Sequence, residues 1–424
     1  MKRNPLAWIA ATALIAASPF FPVTAEAATP VPARTVAPAD ISAPVVVKHV
    51  DTDLDGDGAR DSVDLTYVGD DQFTLSAITA RKESFSVRFS SAFEAADPAT
   101  PKSVWFGADA IDGHKGSELI VRIFNTYELQ GHEVTLNVYT WRSGMLVAET
   151  APTTPEGRIW RINSGAQQMA RGYRFFTSHG HRYVDASRLT SPTLPGVRWT
   201  GRVTRSVWRH GAWVTLWTHR ARATRSLAWG QIAIAGPKLL IDQLDADISG
   251  DGNADRVLVH RTGKSAHLVT VSASGHRAST TVRGSGDDPF IGAARVDGVA
   301  GSELLFGTST VGRSHRWEVL SWRKGALTHV PGPLKDPQGK DSWYGADANT
   351  QTTNFALSTE GGSHDVVVGR LASGLDPQTH PVHLTKFVWD VDGWTEQAEW
   401  DAMLTAEQAA TFHDGFTAPD LTSP

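Results

Sequence analysis

"DTDLDGDGARDSV", residues 51–63, sets five acidic residues and two glycines among thirteen positions, between runs patterned as β-strand. Ionised carboxylates crowded within a few ångströms repel one another, so a loop that keeps them together needs a cation or a proton to offset the repulsion. The donors are all oxygens, which points to a hard cation. Calcium takes about six to eight oxygens in a flexible geometry and suits alternating Asp side chains turned inward by a tight bend. Asp53, Asp55, Asp57, Gly58 and Asp61 fit the register D-x-D-x-D-G-x-x-D, with the carbonyl of Ala59 placed for a further ligand. An EF-hand opens in the same way but needs an acid at its twelfth position and a helix on each flank. Asp64 meets the first condition in this copy, and the flanking "PVVVKHV" fails the second.

A second copy of the loop, "DADISGDGNADRV", runs from Asp245 to Val257, 194 residues further on, with Leu258 in the place of Asp64. Other landmarks recur in the same order. "GADAIDGHKGSEL" from Gly107 returns as "GAARVDGVAGSEL" from Gly292, and "YTWRSGML" at Tyr139 returns as "LSWRKGAL" at Leu320. Trp160 is followed by Trp343, and "VWRHGAW" ending at Trp213 by "VWDVDGW" ending at Trp394. Five ordered pairs indicate the duplication of a unit that spans most of the chain.

Within each unit, acidic-glycine turns, "WRxG" turns and short alternating runs such as "SVDLTYV" and "HEVTLNVYTW" indicate four-stranded modules. About three modules per unit give an all-β fold of six to seven blades, each of roughly 50 to 60 residues, closing into a β-propeller. Closure removes exposed sheet edges, and recurring tryptophans fill the space between blades. The propeller is expected over 45–400, with one unit at about 45–230 and the other at about 238–400.

The two loops "DLDGDGARDSVDL" and "DISGDGNADRVLV" carry a resemblance to the FG-GAP or VCBS repeats, β-propeller repeats of the integrin α-subunit type whose blade turns hold calcium. The resemblance implies that Asp53, Asp55, Asp57 and Asp61 bind one structural calcium, and that Asp247, Ser249, Asp251 and Asp255 bind a second. The carbonyls of Ala59 and Asn253 would complete the cages. With four carboxylates against three, the first site is expected to bind more tightly. The turns "DAIDGHKGSEL" and "ARVDGVAGSEL" keep the rhythm but lack alternating carboxylates, and are expected to be metal-free.

The remaining sequence narrows compartment and chemistry. Lys2 and Arg3, the apolar run that follows and "AEA" at Ala25 to Ala27 read as a secretory signal over 1–27, followed by a Pro/Ala-rich linker over 28–44. No later apolar run is long enough to span a bilayer, so a secreted, extracellular protein with no membrane contact after cleavage is expected. Residues 401–424 read as a tail in which "TAEQAATFHDGF" forms a short helix. The 424 residues contain no cysteine, which excludes disulfides, thiolate metal sites and cysteine nucleophiles. A formal net charge of -5 gives no broad basic field for nucleic acid, and a monomer is expected.

Catalytic motifs are absent: there is no G-x-S-x-G elbow, no H-E-x-x-H helix and no phosphate-cradling loop. "SHGHRY" sets His179 and His181 two residues apart, where a strand would present both on one side. "WTGRVTRSVWRHGAWVTLWTHRARATRSLAW" from Trp199 combines six arginines with five tryptophans, a composition suited to anionic polymers or sugar rings, and equally to a blade with tryptophans packed inward. The matching region around Trp389 is acidic. The expected function is an extracellular binding or scaffolding module, for polysaccharide or another envelope ligand. A polysaccharide lyase or hydrolase and a protein-protein interaction module are the alternatives.

Overall fold

The computed structural model describes residues 44–93, 101–128, 131–153, 157–164, 169–191, 198–224, 234–235, 238–262, 266–284, 289–311, 314–347, 351–358, 364–372, 380–390, 393–405, 409 and 415–417. The expected signal and nearly all of the linker lie outside these residues. The described chain is all-β apart from a 3-10 turn at Pro101–Val104 and one helix-type hydrogen bond, from Ala409 N to Thr405 O at 2.9 Å. No described helix is long and apolar enough to cross a membrane.

Strands follow one another as antiparallel meanders, because short runs of alternating burial are punctuated by turns that reverse the chain. Val45–Thr52, Asp61–Gly69, Gln72–Ile78 and Ser84–Ser90 make the first module. Trp105–Asp109, Glu118–Glu128, Gly131–Arg142 and Met145–Ala148 make the second. Trp160–Ser164 then bridges from Gly131–Arg142 to the third, which consists of Met169–Ser178, His181–Thr190, Arg198–Arg209 and Ala212–Thr224. From Leu239 the series repeats. Leu239–Ala246, Asp255–Arg261, Ala266–Ala273 and His276–Arg283 correspond to the first module. Phe290–Ala294, Glu303–Val311, Ser314–Arg323 and Ala326–His329 correspond to the second. Asp341–Asp347 pairs with Ser314–Arg323, and Gln351–Ser358, Asp365–Ala372, His380–Trp389 and Trp394–Leu404 form a separate sheet.

Five of the hairpins turn on a two-residue X-Gly step: Ser143-Gly144, His179-Gly180, His210-Gly211, Ser274-Gly275 and Lys324-Gly325. In each, both residues have positive φ, 47° to 51° and then 74° to 80°, the type I′ geometry whose twist matches the flanking strands. This corrects the expectation for "SHGHRY". His179 occupies the turn, with Nδ1 2.9 Å from Ser178 Oγ, and His181 opens the next strand, so the two imidazoles do not share a strand face.

The first two modules of each unit have the expected four strands, with a short parallel strand, Ala92–Phe93, added to the second module of the first unit, and the third is completed by a strand from the end of its own unit. Ile234–Ala235 pairs in parallel with Tyr173 and Arg174, and Gly415–Thr417 pairs in parallel with Asn354, Phe355 and Ala356. The segment expected to be a tail is therefore partly sheet, and the strand Trp394–Leu404 crosses the expected boundary at residue 400.

Neighbouring modules lock through their turns. The Ser117 amide donates to Asp53 O at 2.7 Å, and in the second unit Ser302 donates to Asp247 O at 2.8 Å. At Gly116 (φ 97°) a Cβ would lie 2.1 Å from Leu54 O, and at Gly301 (φ 102°) 2.4 Å from Ile248 O, so only glycine allows these turns to nest. The two units meet along their first strands. Lys48 and Asp242 form a buried ion pair, Arg256 reaches Asp51 at 2.9 Å, and Trp105 Nε1 donates to Leu240 O at 3.3 Å. The largest core cluster crosses this junction, joining Phe106, Ile120, Tyr173 and Phe175 to Leu239, Val259 and Leu304.

Candidate metal centres

The first acidic loop connects strands Val45–Thr52 and Asp61–Gly69, and its shape is fixed by carboxylates that accept the loop's own amides. Asp53 takes the N–H of Gly56 at 2.7 Å and of Gly58 at 3.1 Å; Asp55 takes that of Asp57, and Asp57 that of Ala59. Asp61, fully buried, receives Leu54 N at 2.6 Å and Ala80 N at 2.8 Å. The bonds of Asp55 and Asp57 to the amide two residues on are Asx-type turns, which fix the bend of the loop. One oxygen each from Asp53, Asp55 and Asp61 lies within 4.8 Å of the others, a donor set that fits a hard divalent cation. Asp57 stands at the outer lip, 3.2 Å from the exposed Arg81 guanidinium.

The second loop repeats the same bonds. Asp247 receives Gly250 N at 2.7 Å and Gly252 N at 3.0 Å, Asp251 receives Asn253 N at 2.8 Å, and Asp255 receives Ile248 N at 2.9 Å and Ser249 N at 2.7 Å. Ser274, in the turn of a neighbouring hairpin, donates to Asp251 Oδ2 at 2.7 Å and to Ser249 Oγ at 3.1 Å. That hydrogen bond holds the Asp251 carboxyl below the usual carboxylate range. This loop supplies three carboxylates to the first loop's four, with Ser249 in the place of Asp55.

The second module of each unit carries the same nine-residue turn with different chemistry. Glu118 stands where Asp61 does and receives Ile111 N at 2.7 Å; Glu303 stands where Asp255 does and receives Val296 N at 2.8 Å. A guanidinium from the "WRxG" hairpin enters each turn. Arg142 pairs with Asp112, and Arg323 with Asp297, so a fixed side-chain cation stands against these carboxylates. Burial first, and then the neighbouring Asp112 or Asp297, push the Glu118 and Glu303 carboxyls up to about 8.

One group breaks the match between units. Glu149 lies within 4.8 Å of Asp112 and Glu118, whereas Val330 stands at the corresponding place. Glu149 Oε1 accepts Trp213 Nε1 at 2.8 Å, while Oε2 is buried without a hydrogen-bond partner. Burial, followed by Glu118 and Asp112, holds this carboxyl well above the usual range. Sequence reasoning missed Glu118, Glu303 and Glu149; the recurrence of "GSEL" was the available signal for the first two.

Up to Thr224, the Trp/Arg stretch lies in the last hairpin of the third module, Arg198–Arg209 with Ala212–Thr224. Trp199 and Trp213 are buried, and Trp217 is 37% exposed. Arg205 forms a two-point pair with Asp185 at 2.7 Å and covers the Trp217 and Phe176 rings. Trp229 lies outside the described residues.

No family model matches the chain, and no curated protein matches it. Among solved structures, the chain is similar to a GH43 β-1,3-galactosidase solved with galactodeoxynojirimycin, at 8% identity over 65% of this chain and 92% of that one, with a TM-score of 0.23. AofleA from Arthrobotrys oligospora matches at 10% identity over 85% and 87%, with a TM-score of 0.21. A triple arginine-to-alanine mutant of AofleA matches at 12% identity over 76% and 78%, with a TM-score of 0.23. At these TM-scores the likenesses carry no argument about fold or function.

Proposed function

We propose that the protein is an exported, calcium-stabilised β-propeller of six to seven blades that serves as an extracellular binding or scaffolding module for polysaccharide or another envelope ligand. The observation that carries this reading is the convergence of Asp53, Asp55 and Asp61 oxygens within 4.8 Å, in a turn whose geometry is repeated at Asp247, Ser249, Asp251 and Asp255. Calcium at these turns supplies no chemistry beyond neutralising the carboxylates and fixing the loops. The signal-like N-terminus supports export.

Binding is favoured over catalysis by the state of the buried acids. Glycoside hydrolysis uses two carboxyl groups flanking the scissile bond. Asp112 and Glu118 are fully buried, and their oxygens are taken up by turn amides, Thr140 and Arg142. Among the described residues, the acidic cluster therefore offers substrate no accessible pair.

The test is to incubate purified protein with insoluble cell-wall and plant polysaccharides, with and without calcium, measuring both protein depletion and soluble sugar fragments. Calcium-dependent depletion without fragments is expected. Fragment release would establish a lyase or hydrolase instead, and the absence of both signals would favour a protein partner.

A further inference from the structure

On the third sheet of the first unit, four arginines stand side by side across four strands. Arg171 is the register partner of Arg188, Arg188 of Arg202, and Arg202 of Arg220. Direct cross-strand partners project from the same face, so the guanidinium stems form one ladder perpendicular to the strands. Neighbouring strands lie about 4.8 Å apart, and the four rungs span roughly 14 Å. Arg222 and Arg161 extend the same face. Arg222 pairs with Thr200, which pairs with Thr190, and Arg161 precedes by two residues Asn163, the partner of Arg171.

Like charges set directly opposite one another destabilise a sheet, so this arrangement calls for an explanation outside the fold. The second unit shows that the sheet does not require it. At the same rungs it carries Thr353, Arg370, His383 and Asp401, again as successive register partners. There His383 is bonded to Asp401 at 2.9 Å and to Glu399 at 2.6 Å, so the charges are balanced. In the first unit, Glu133 approaches the buried end, 3.8 Å from Arg171 and 3.9 Å from Arg161. Arg202, Arg220 and Arg222 are exposed and make no ion pair among the described residues.

We propose that this ladder is a binding site for an acidic polysaccharide, a linear carboxylated chain lying across the strands so that successive rungs meet successive carboxylates; the proposal rests on the binding-module reading above. Guanidinium forks match carboxylates with paired hydrogen bonds, and the exposed Thr190 and Thr200 hydroxyls lie between the arginines to meet sugar hydroxyls. A groove of about 500 Å³ lined by Arg188, Arg202, Arg220 and Arg222 accommodates such a chain. The outer rungs carry no aromatic ring on which nucleic-acid bases could stack, since Trp217 and His219 project from the opposite face.

The experiment compares the full mature protein with Arg202→His/Arg220→Asp, which installs the residues that the second unit tolerates at these rungs. Binding is titrated against sodium polygalacturonate, neutral dextran and single-stranded oligothymidylate between roughly 50 and 200 mM salt. Wild type is expected to bind polygalacturonate selectively and more weakly as salt rises, and the double variant to lose about tenfold or more per arginine removed. Its melting temperature should be unchanged or higher. If the double variant does not fold, Arg222→Ser on the exposed edge is expected to weaken polygalacturonate binding in the same direction. Equal affinity of wild type and variant, no binding of polygalacturonate by wild type, or preference for oligothymidylate would each overturn the proposal. Dextran bound as tightly as polygalacturonate by both proteins would overturn the ladder while leaving the binding-module reading intact.

Discussion

Lys48 and Asp242 occupy the same position in the two copies of the duplicated unit, 194 residues apart, and form an ion pair with each other. Both follow the same irregularity in strand register, between Val46 and Lys48 in one copy and between Leu240 and Asp242 in the other. Their side chains are 2% and 0% exposed, which places the contact at the centre of the junction between units. A buried pair of this kind gains attraction at low dielectric and loses hydration on both ions.

Removing one partner should therefore cost far more than removing both. Lys48→Met or Asp242→Asn alone is expected to destabilise by roughly 3–5 kcal/mol, while the two together recover most of the loss. Denaturant unfolding of the four proteins in the cycle measures this. Additive losses would show that the pair contributes nothing as a pair.

Calcium should raise the melting temperature, and chelator should lower it, since an ion that binds only the folded chain stabilises by about 2.7 kcal/mol at a hundredfold excess over its dissociation constant. The first loop is expected to fill at the lower calcium concentration. Asp55→Asn should abolish the tighter step in a calorimetric titration, and Ser249→Asp should strengthen the weaker one. A single unresolved step unaffected by Asp55→Asn would contradict the order.

The Glu118 and Glu303 carboxyls, both pushed up to about 8, make stability depend on pH with a definite sign. The folded chain holds these protons over a range in which the unfolded chain, near its ordinary value of about 4.3, releases them. Their contribution is complete below that ordinary value and is lost as pH rises through 8. Glu303→Gln should flatten the decline in melting temperature between roughly pH 5 and 8. An unchanged slope would mean that Arg323 keeps Glu303 ionised.

Glu149→Gln reproduces the shape of the protonated acid and keeps an acceptor for Trp213 Nε1. It is expected to match wild type near pH 5 and to exceed it near pH 8, where the wild-type carboxyl must hold its proton against the solution. Thermal melts at the two pH values decide this. A variant weaker at both would indicate that ionised Glu149 is compensated within the fold.

The duplication and the all-β class were legible because turns and tryptophans punctuate the chain at matched spacings. The anchoring carboxylates were half legible. Asp61 and Asp255 stand inside a recognisable motif, whereas Glu118 and Glu303 do the same work in turns whose motif has been lost. The closing strands Ile234–Ala235 and Gly415–Thr417 are too short to show a period, and only the parallel pairing reveals them. His179 was misplaced because a histidine before glycine reads equally well as strand or as type I′ turn. The arginine ladder was visible as composition but not as a site, since strand register alone decides which side chains share a face.

The meeting of Lys48 with its own counterpart bears on how such a chain could arise. A residue on a two-fold axis faces an identical copy of itself, so a dimer of single units would set lysine against lysine or aspartate against aspartate at its buried centre. Fusing two units into one polypeptide frees the two positions to differ, and opposite charges can then stand where symmetry would have enforced repulsion. The central ion pair is a contact that no homodimer of its half could encode.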